Sequence, residues 1–352
     1  MMKYKLSRTQ TAWIRWLSLW LLGFLAVVLL VPWLLVSSPT GESEQGKKIG
    51  AAESGAHPSN EAVMVQVHLS GSQATEAIEL ESYVLGVVAA EMPIEFEPEA
   101  LKAQALAART YIVRRLLNGE TANMAGTAAV VTDTTQHQAY LTDEELKRRW
   151  GPEKYESNRS KLRQAVEATR GVVITYGGQP IEASYFSTSN GYTENSEDYW
   201  NMKLPYLRSV PSPWDERLSP KYKDSVTITA KELQQKLGLP SAVPAATGGK
   251  SGLSVLERSE GQRIKRLTAG GRTFTGREFR EKLGLASSQF QWSYQSGKWT
   301  FTTTGYGHGV GMSQWGANGM AKEGRTAKEI IQYYYTGVQL EQAANLWKGK
   351  SF

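Results

Sequence analysis

The chain has 352 residues, 41% of them hydrophobic and 21% charged, with a net charge of +6 and no cysteine. That length and apolar content support a sizeable core and exclude a chain disordered throughout. The lack of cysteine excludes disulfides, thiolate catalysis and cysteine-held zinc.

Lys3, Lys5, Arg8 and Arg15 lead into an uncharged apolar run over 16–36, which as a helix measures about 30 Å, the thickness of a bilayer core. The run is too long for the apolar part of a cleaved signal peptide and is read as a transmembrane anchor. The positive-inside rule keeps residues 1–15 as a cytoplasmic arm and sends everything after the anchor across the cell membrane. Residues 37–60, rich in Ser, Gly, Glu and Lys without an apolar period, are expected to form a flexible linker. With the basic residues scattered and the working part outside the cytoplasm, no nucleic-acid partner is expected. An anionic wall or lipid surface suits the charge better.

An extracytoplasmic domain is expected over 61–340, followed by a tail at 341–352. A strand is predicted over 62–69. The next helix, over 80–91, is too apolar to be exposed, and Pro93 disfavours helical dihedrals at Met92, so it should stop near Glu91. The Glu91 carboxyl then lies at the negative pole of an apolar helix, where dipole and desolvation both favour the protonated form. That is the specification of a general acid. A second helix starts at Glu97 or Pro98 and runs to Asn118 and Gly119. Its alanine-rich face surrounds Arg109, a candidate ligand for an acyl or carboxyl group.

A helix over 160–170 follows, then a hairpin of 172–176 with 179–187, turning at Gly177 and Gly178. Residues 227–241 return as 273–287, each copy reading as strand, threonine cap and short helix. Thr229 and Thr275 precede Glu232 and Glu278 by the spacing of a capping box, so the repeat is structural first. Residues 226–303 are read as an inserted subdomain with a loop in 240–251. The fold class expected is α+β: mixed helices and antiparallel sheet, an inserted small α/β subdomain, and one transmembrane helix in front.

Three polar clusters interleave aromatics with amides and hydroxyls: 133–140, 185–193 beginning at Tyr185, and 305–316. Such mixtures suit a glycan groove, where rings stack on sugar faces and planar polar groups bind hydroxyls. The glycine-rich third cluster lacks the marks of a P-loop or a dinucleotide fingerprint. Its glycines more naturally let backbone approach a ligand or a neighbouring helix. His308 is its sharpest residue, readable equally as functional or as a structural histidine. His57 falls in the linker. His68, His137 and His308 have no metal-ligand spacing, so no metal or cofactor is expected.

Glu91, the run 102–111, the run 187–191 and the run 307–316, in that order and behind a single anchor, resemble the stage II sporulation protein D family over 62–340. The resemblance implies a membrane-anchored lytic transglycosylase that cuts peptidoglycan glycan strands during forespore engulfment, from the mother-cell membrane facing the septum. It implies strands stripped of stem peptides as the preferred substrate. The partners it implies are an amidase, stage II sporulation protein P, and a membrane scaffold, stage II sporulation protein M. Glu91 becomes the catalytic residue, with Gln104, Arg109, Ser187, Asn190, His308 and Gln314 in support and Tyr185 in the same groove.

One carboxylate then serves as acid and base, closing a 1,6-anhydro ring on the muramyl residue, without the second carboxylate of the usual hydrolase pair. Glu194, Asp198 and Asp215 are candidates for such a partner, and read equally well as loop acids in turns or ion pairs. Some relatives bind zinc through cysteine and histidine near 136–137, a requirement this cysteine-free chain does not inherit. A related amidase-enhancer group shares the domain, so the alternative is a non-catalytic glycan-binding enhancer of a cell-wall amidase.

Overall fold

The computed structural model describes residues 62–347 apart from 125, 241–242 and 244–251. The cytoplasmic arm, the expected anchor and linker, and most of the 240–251 loop lie outside the described residues. Among those described, no helix is long and apolar enough to cross a membrane.

Strand β1 (Met64–Leu69) pairs antiparallel with β2 (Ala74–Glu79) and, on its other edge, parallel with the short β3 (Val131–Thr132). Helix α1 (Leu80–Glu91) follows β2 directly, because the Glu79 side chain accepts from the Ser82 amide at 2.8 Å and caps it. It ends at Glu91 as expected: Met92, forced out of the helical region by Pro93, is extended at φ −118° and ψ 142°. Helix α2 (Pro98–Leu117) opens on its proline, and its buried Ala100, Ala103, Ala105, Ala107 and Ala108 let neighbouring helices approach closely.

One of those neighbours, α3 (Asp143–Glu167), is longer than the predicted 160–170 segment. It starts at a capping box formed by Thr142 and Glu145 and kinks at Gly151, φ 69°, just before Pro152. It pins the chain on both sides of Glu91: Arg149 donates to the Ala89 carbonyl at 3.0 Å, and Lys161 donates to those of Ile94 and Phe96 at 2.7 and 2.8 Å.

The hairpin of β4 (Val172–Tyr176) and β5 (Gln179–Pro180) turns at Gly177 and Gly178, both at positive φ, as the sequence implied. Its second strand is shorter than the predicted 179–187. After Pro180 the chain leaves β4, and β6 (Tyr185–Phe186) pairs in parallel with β13 (Met312–Ser313), a partner that no local pattern announces. Helices and mostly antiparallel ladders are thus mixed in an α+β fold. Among the described residues the two parallel strand pairs are short, and two short helices, α4 (Ser196–Trp200) and α5 (Trp214–Leu218), follow β6.

The segment 223–304 has its own hydrophobic cluster around Phe274, Phe279, Phe290, Trp299 and Phe301. Its first strand, β7 (Lys223–Thr229), pairs with its last, β12 (Lys298–Thr304), which also pairs with β11 (Phe290–Gln295). A second sheet runs β10 (Arg272–Thr275), β9 (Ile264–Ala269), β8 (Leu253–Arg258). The two repeats are strand–helix units, as read from sequence: α6 (Ala230–Leu237) after β7 and α7 (Gly276–Leu283) after β10. Thr229 and Thr275 cap them at 3.1 and 3.0 Å, and left-handed Gly238 and Gly284 end them.

Candidate active site

Three segments distant in sequence meet over the C-terminal end of α1. There a cleft of about 680 Å³ is lined by Glu91, residues 135–138, residues 182–187, residues 306–308 and Gln314, with Tyr111, Arg114 and Arg115 from α2. Every one of the three polar–aromatic clusters contributes to it.

Two glycines permit this convergence. A Cβ on Gly86 would lie 2.3 Å from the Tyr140 ring and 2.7 Å from the Leu141 carbonyl, so only glycine lets the 133–141 segment cross α1. Gly311, at φ 80°, brings its Cα so near β6 that an added Cβ would stand 2.0 Å from the Ser184 carbonyl. This close approach seats the third cluster against the second. It aims the start of α8 (Gln314–Lys322), capped by Ser313, at the end of α1.

Glu91 receives three donors. The Ala139 amide donates to Oε1 at 3.3 Å, Gln314 Nε2 donates to Oε2 at 3.3 Å, and the Tyr185 hydroxyl is a third donor group beside the carboxylate, favouring its charged form. Tyr185 is itself oriented, since its oxygen accepts from Gln138 Nε2 at 3.1 Å while Gln138 Oε1 accepts from the Tyr83 hydroxyl at 3.3 Å. Burial pushes the Glu91 carboxyl above its ordinary range, and the three donors hold it back in part. The acid therefore keeps its proton to higher pH than an exposed glutamate, yet its conjugate base has partners waiting. Burial, with Glu91 beside it, also pushes the Tyr185 hydroxyl well up, so it stays a donor.

His308 lies in the cleft wall among Phe186, Tyr199 and Trp200, at ring distances of 5.7, 5.5 and 5.5 Å. Its Nδ1 accepts from the Val310 amide at 3.0 Å, with the Tyr185 backbone beside the ring. Burial, reinforced by Arg280 and Arg263, pushes it down to about 3. A neutral imidazole bonded to backbone and packed among three rings is a pivot between the two segments, which favours its structural reading.

Of the sequence candidates, Glu91, Tyr185, Ser187, His308 and Gln314 share the cleft; Gln104, Arg109 and Asn190 do not. Arg109 is a correction. It is fully buried, its Nη2 2.6 Å from Glu81 Oε2, with further bonds to Thr169 and to the carbonyls of Val166 and Val172. The close packing that the alanines announced is there, and it buries an ion pair joining α1, α2 and the end of α3. Asn190 is likewise committed, its amide nitrogen donating to the Gly261 carbonyl and to Gln289. Gln104 is wholly buried within the helix packing.

Glu194 pairs with Arg263 at 3.4 Å, Asp198 with Lys265 at 2.9 Å, and Asp215 accepts from Ser313, Ser212 and the Ser189 amide. None of the three lines the Glu91 cleft, so they behave as the structural acids the sequence equally allowed. The carboxylates that do line it are Glu120 and Glu182, paired with Arg115 at 3.0 Å and Arg114 at 2.6 Å. These four, with Tyr111, Trp200 and Arg280, were missed in the sequence. For Tyr111 and Arg115 a signal existed, because 104, 108, 111 and 115 recur on one helical face.

His137 lines the cleft with its Nδ1 3.2 Å from the Thr132 amide and 3.0 Å from its hydroxyl, and among the described residues no His, Asp or Glu cluster gathers around it.

Residues 69–176 match the family model SpoIID, described as stage II sporulation protein. The chain is 47% identical to stage II sporulation protein D of Bacillus subtilis over 328 residues, 90% of this chain and 93% of that protein. It is 44% identical to the protein of the same name from Bacillus amyloliquefaciens, over 91% of this chain and 94% of the relative. It is also 30% identical to the amidase enhancer of Bacillus subtilis, over 72% of this chain and 40% of that longer protein.

Proposed function

The chain belongs to the stage II sporulation protein D family of sporulation proteins, and on that premise we propose that it is a lytic transglycosylase of peptidoglycan. Its substrate is the bond between N-acetylmuramic acid and N-acetylglucosamine. What carries the reading is Glu91: a half-buried carboxyl, raised above its ordinary range, held by Ala139 and Gln314 with the Tyr185 hydroxyl beside it, in a cleft walled by aromatic and polar groups.

Protonated Glu91 donates its proton to the glycosidic oxygen as the bond to muramyl C1 breaks. The carboxylate left behind is held by its three donors. It then takes the proton of the muramyl C6 hydroxyl, whose oxygen closes on C1 to form the 1,6-anhydro ring. Glu91 ends protonated, as it began, and no water is consumed. Tyr111, Trp200 and Tyr306 offer faces for the sugar rings. Under this reading the 16–36 run anchors the chain in the mother-cell membrane, and the amidase and scaffold implied by the resemblance are its partners.

The test is the full-length chain acting on peptide-free glycan, with products read by mass spectrometry. Glu91→Gln is expected to fold, bind glycan and release no anhydromuramyl ends; retained cleavage removes Glu91 from the mechanism. Reducing muramic ends from the unaltered chain make water the acceptor and the enzyme a muramidase.

Likeness to the amidase enhancer favours a second reading, a glycan-binding stimulator of an amidase. Under it Glu91→Gln leaves stimulation of the amidase intact, and the unaltered chain alone releases no glycan fragments.

A further inference from the structure

The two copies of the repeat make the same backbone contact with different side chains. In the first, Gln234 Nε2 donates to the Leu239 carbonyl at 3.3 Å; in the second, Arg280 at the equivalent position donates from Nε to the Leu285 carbonyl at 3.1 Å. Glutamine therefore suffices for the structural task. Arginine adds a guanidinium end that reaches past that contact and lines the cleft holding Glu91.

That end carries an unneutralised charge. Its Nη1 donates to the Tyr199 hydroxyl at 3.4 Å, a neutral partner, and among the described residues no carboxylate pairs with it. The other two arginines of the cleft are neutralised, Arg114 by Glu182 and Arg115 by Glu120. Arg280 is half-buried, where a cation is less screened than at an open surface. A planar donor fork of this kind matches a carboxylate in bidentate geometry.

We propose that Arg280 binds a substrate carboxylate in the Glu91 cleft, and that this carboxylate is the free lactyl group of a muramyl residue. This inference rests on the proposed action on peptidoglycan. The inserted lobe thereby distinguishes a lactyl group that is ionised from one amide-bonded to a peptide: the ionised form takes two charge-assisted hydrogen bonds, while an amide oxygen offers a neutral, single acceptor.

The experiment uses the full-length chain carrying Glu91→Gln, which prevents turnover, with and without Arg280→Gln. Glutamine is the residue that makes the equivalent contact in the first repeat, so the fold is preserved. Two probes are titrated calorimetrically: a peptide-free muramyl glycan fragment with free carboxylates, and the same fragment with those groups converted to methylamides. Arg280→Gln is expected to weaken binding of the first by about tenfold, the range for a hydrogen-bonded charge, and to leave the second unchanged. Arg280→Lys should recover part of the loss. Equal loss for both probes, or none for either, overturns the inference while leaving glycan binding intact. If neither probe binds even with Arg280 in place, the proposed function falls with it.

Discussion

Gln314, the first residue of α8, holds its Nε2 3.3 Å from Oε2 of Glu91, the last residue of α1, across 223 residues of sequence. The bond favours the ionised carboxylate and so opposes the effect of burial. Gln314→Leu keeps the volume and removes the donor, which raises the Glu91 carboxyl further. A general acid works only while protonated, so the alkaline limb of the pH–rate profile for glycan cleavage should move to higher pH. The maximal rate should fall as the carboxylate loses its orientation. A limb that moves to lower pH would mean Gln314 does not act on Glu91 in this way.

The raised Glu91 carboxyl also has a sign in stability. The folded chain binds that proton more tightly than the unfolded one, so the contribution is complete below the ordinary value of 4.5 and is lost as pH rises through the folded value. Above that window the native state carries a buried charge that glutamine does not. Glu91→Gln should therefore be more stable at about pH 8 by about 1 kcal/mol, and indistinguishable at about pH 4. Thermal unfolding at the two pH values measures it; a variant that is destabilised at the higher pH contradicts the electrostatics argued for the site.

What the sequence disclosed were features fixed by neighbours within a turn or two. Pro93 ended α1 at Glu91, Gly177 and Gly178 turned the hairpin, and Thr229 and Thr275 announced their helices. The polar clusters were legible as groove lining from residue types alone, and all three line the Glu91 cleft. What stayed hidden depended on distant partners. Residues 185–186 read as a continuation of the hairpin because nothing nearby reveals β13, and Arg109 read as a ligand because Glu81 lies on another helix. The cleft role of Arg280 was equally silent, since it follows from how α7 leans on Tyr199.

Gly86 tests how tightly the cleft depends on α1. Alanine there meets the Tyr140 ring at 2.3 Å and the Leu141 carbonyl at 2.7 Å, and the second contact is backbone, which cannot swing aside. The 133–141 segment must lift, carrying Ala139 and Gln138 away from Glu91 and Tyr185. Gly86→Ala should cost about 1–3 kcal/mol in unfolding free energy and lower the cleavage rate more than it lowers glycan affinity. Unchanged kinetics in a folded variant would show that the segment adjusts without disturbing the acid.

Arg109 and Glu81 separate a structural role from a substrate-binding one. The guanidinium is fully buried, with Nε 3.0 Å from Oε1 and Nη2 2.6 Å from Oε2, while Oε1 also accepts from the Gly171 amide at 3.0 Å. Removing either partner strands a charge in the core, so Arg109→Met and Glu81→Leu alone should each cost about 3–5 kcal/mol in denaturant unfolding. Together they should recover most of that loss, because two apolar side chains replace the pair without leaving a buried charge. Glycan affinity of the folded double variant should match that of the unaltered chain. A single Arg109→Met variant that keeps its stability but loses glycan binding would return Arg109 to the substrate, and the ion pair would then be incidental.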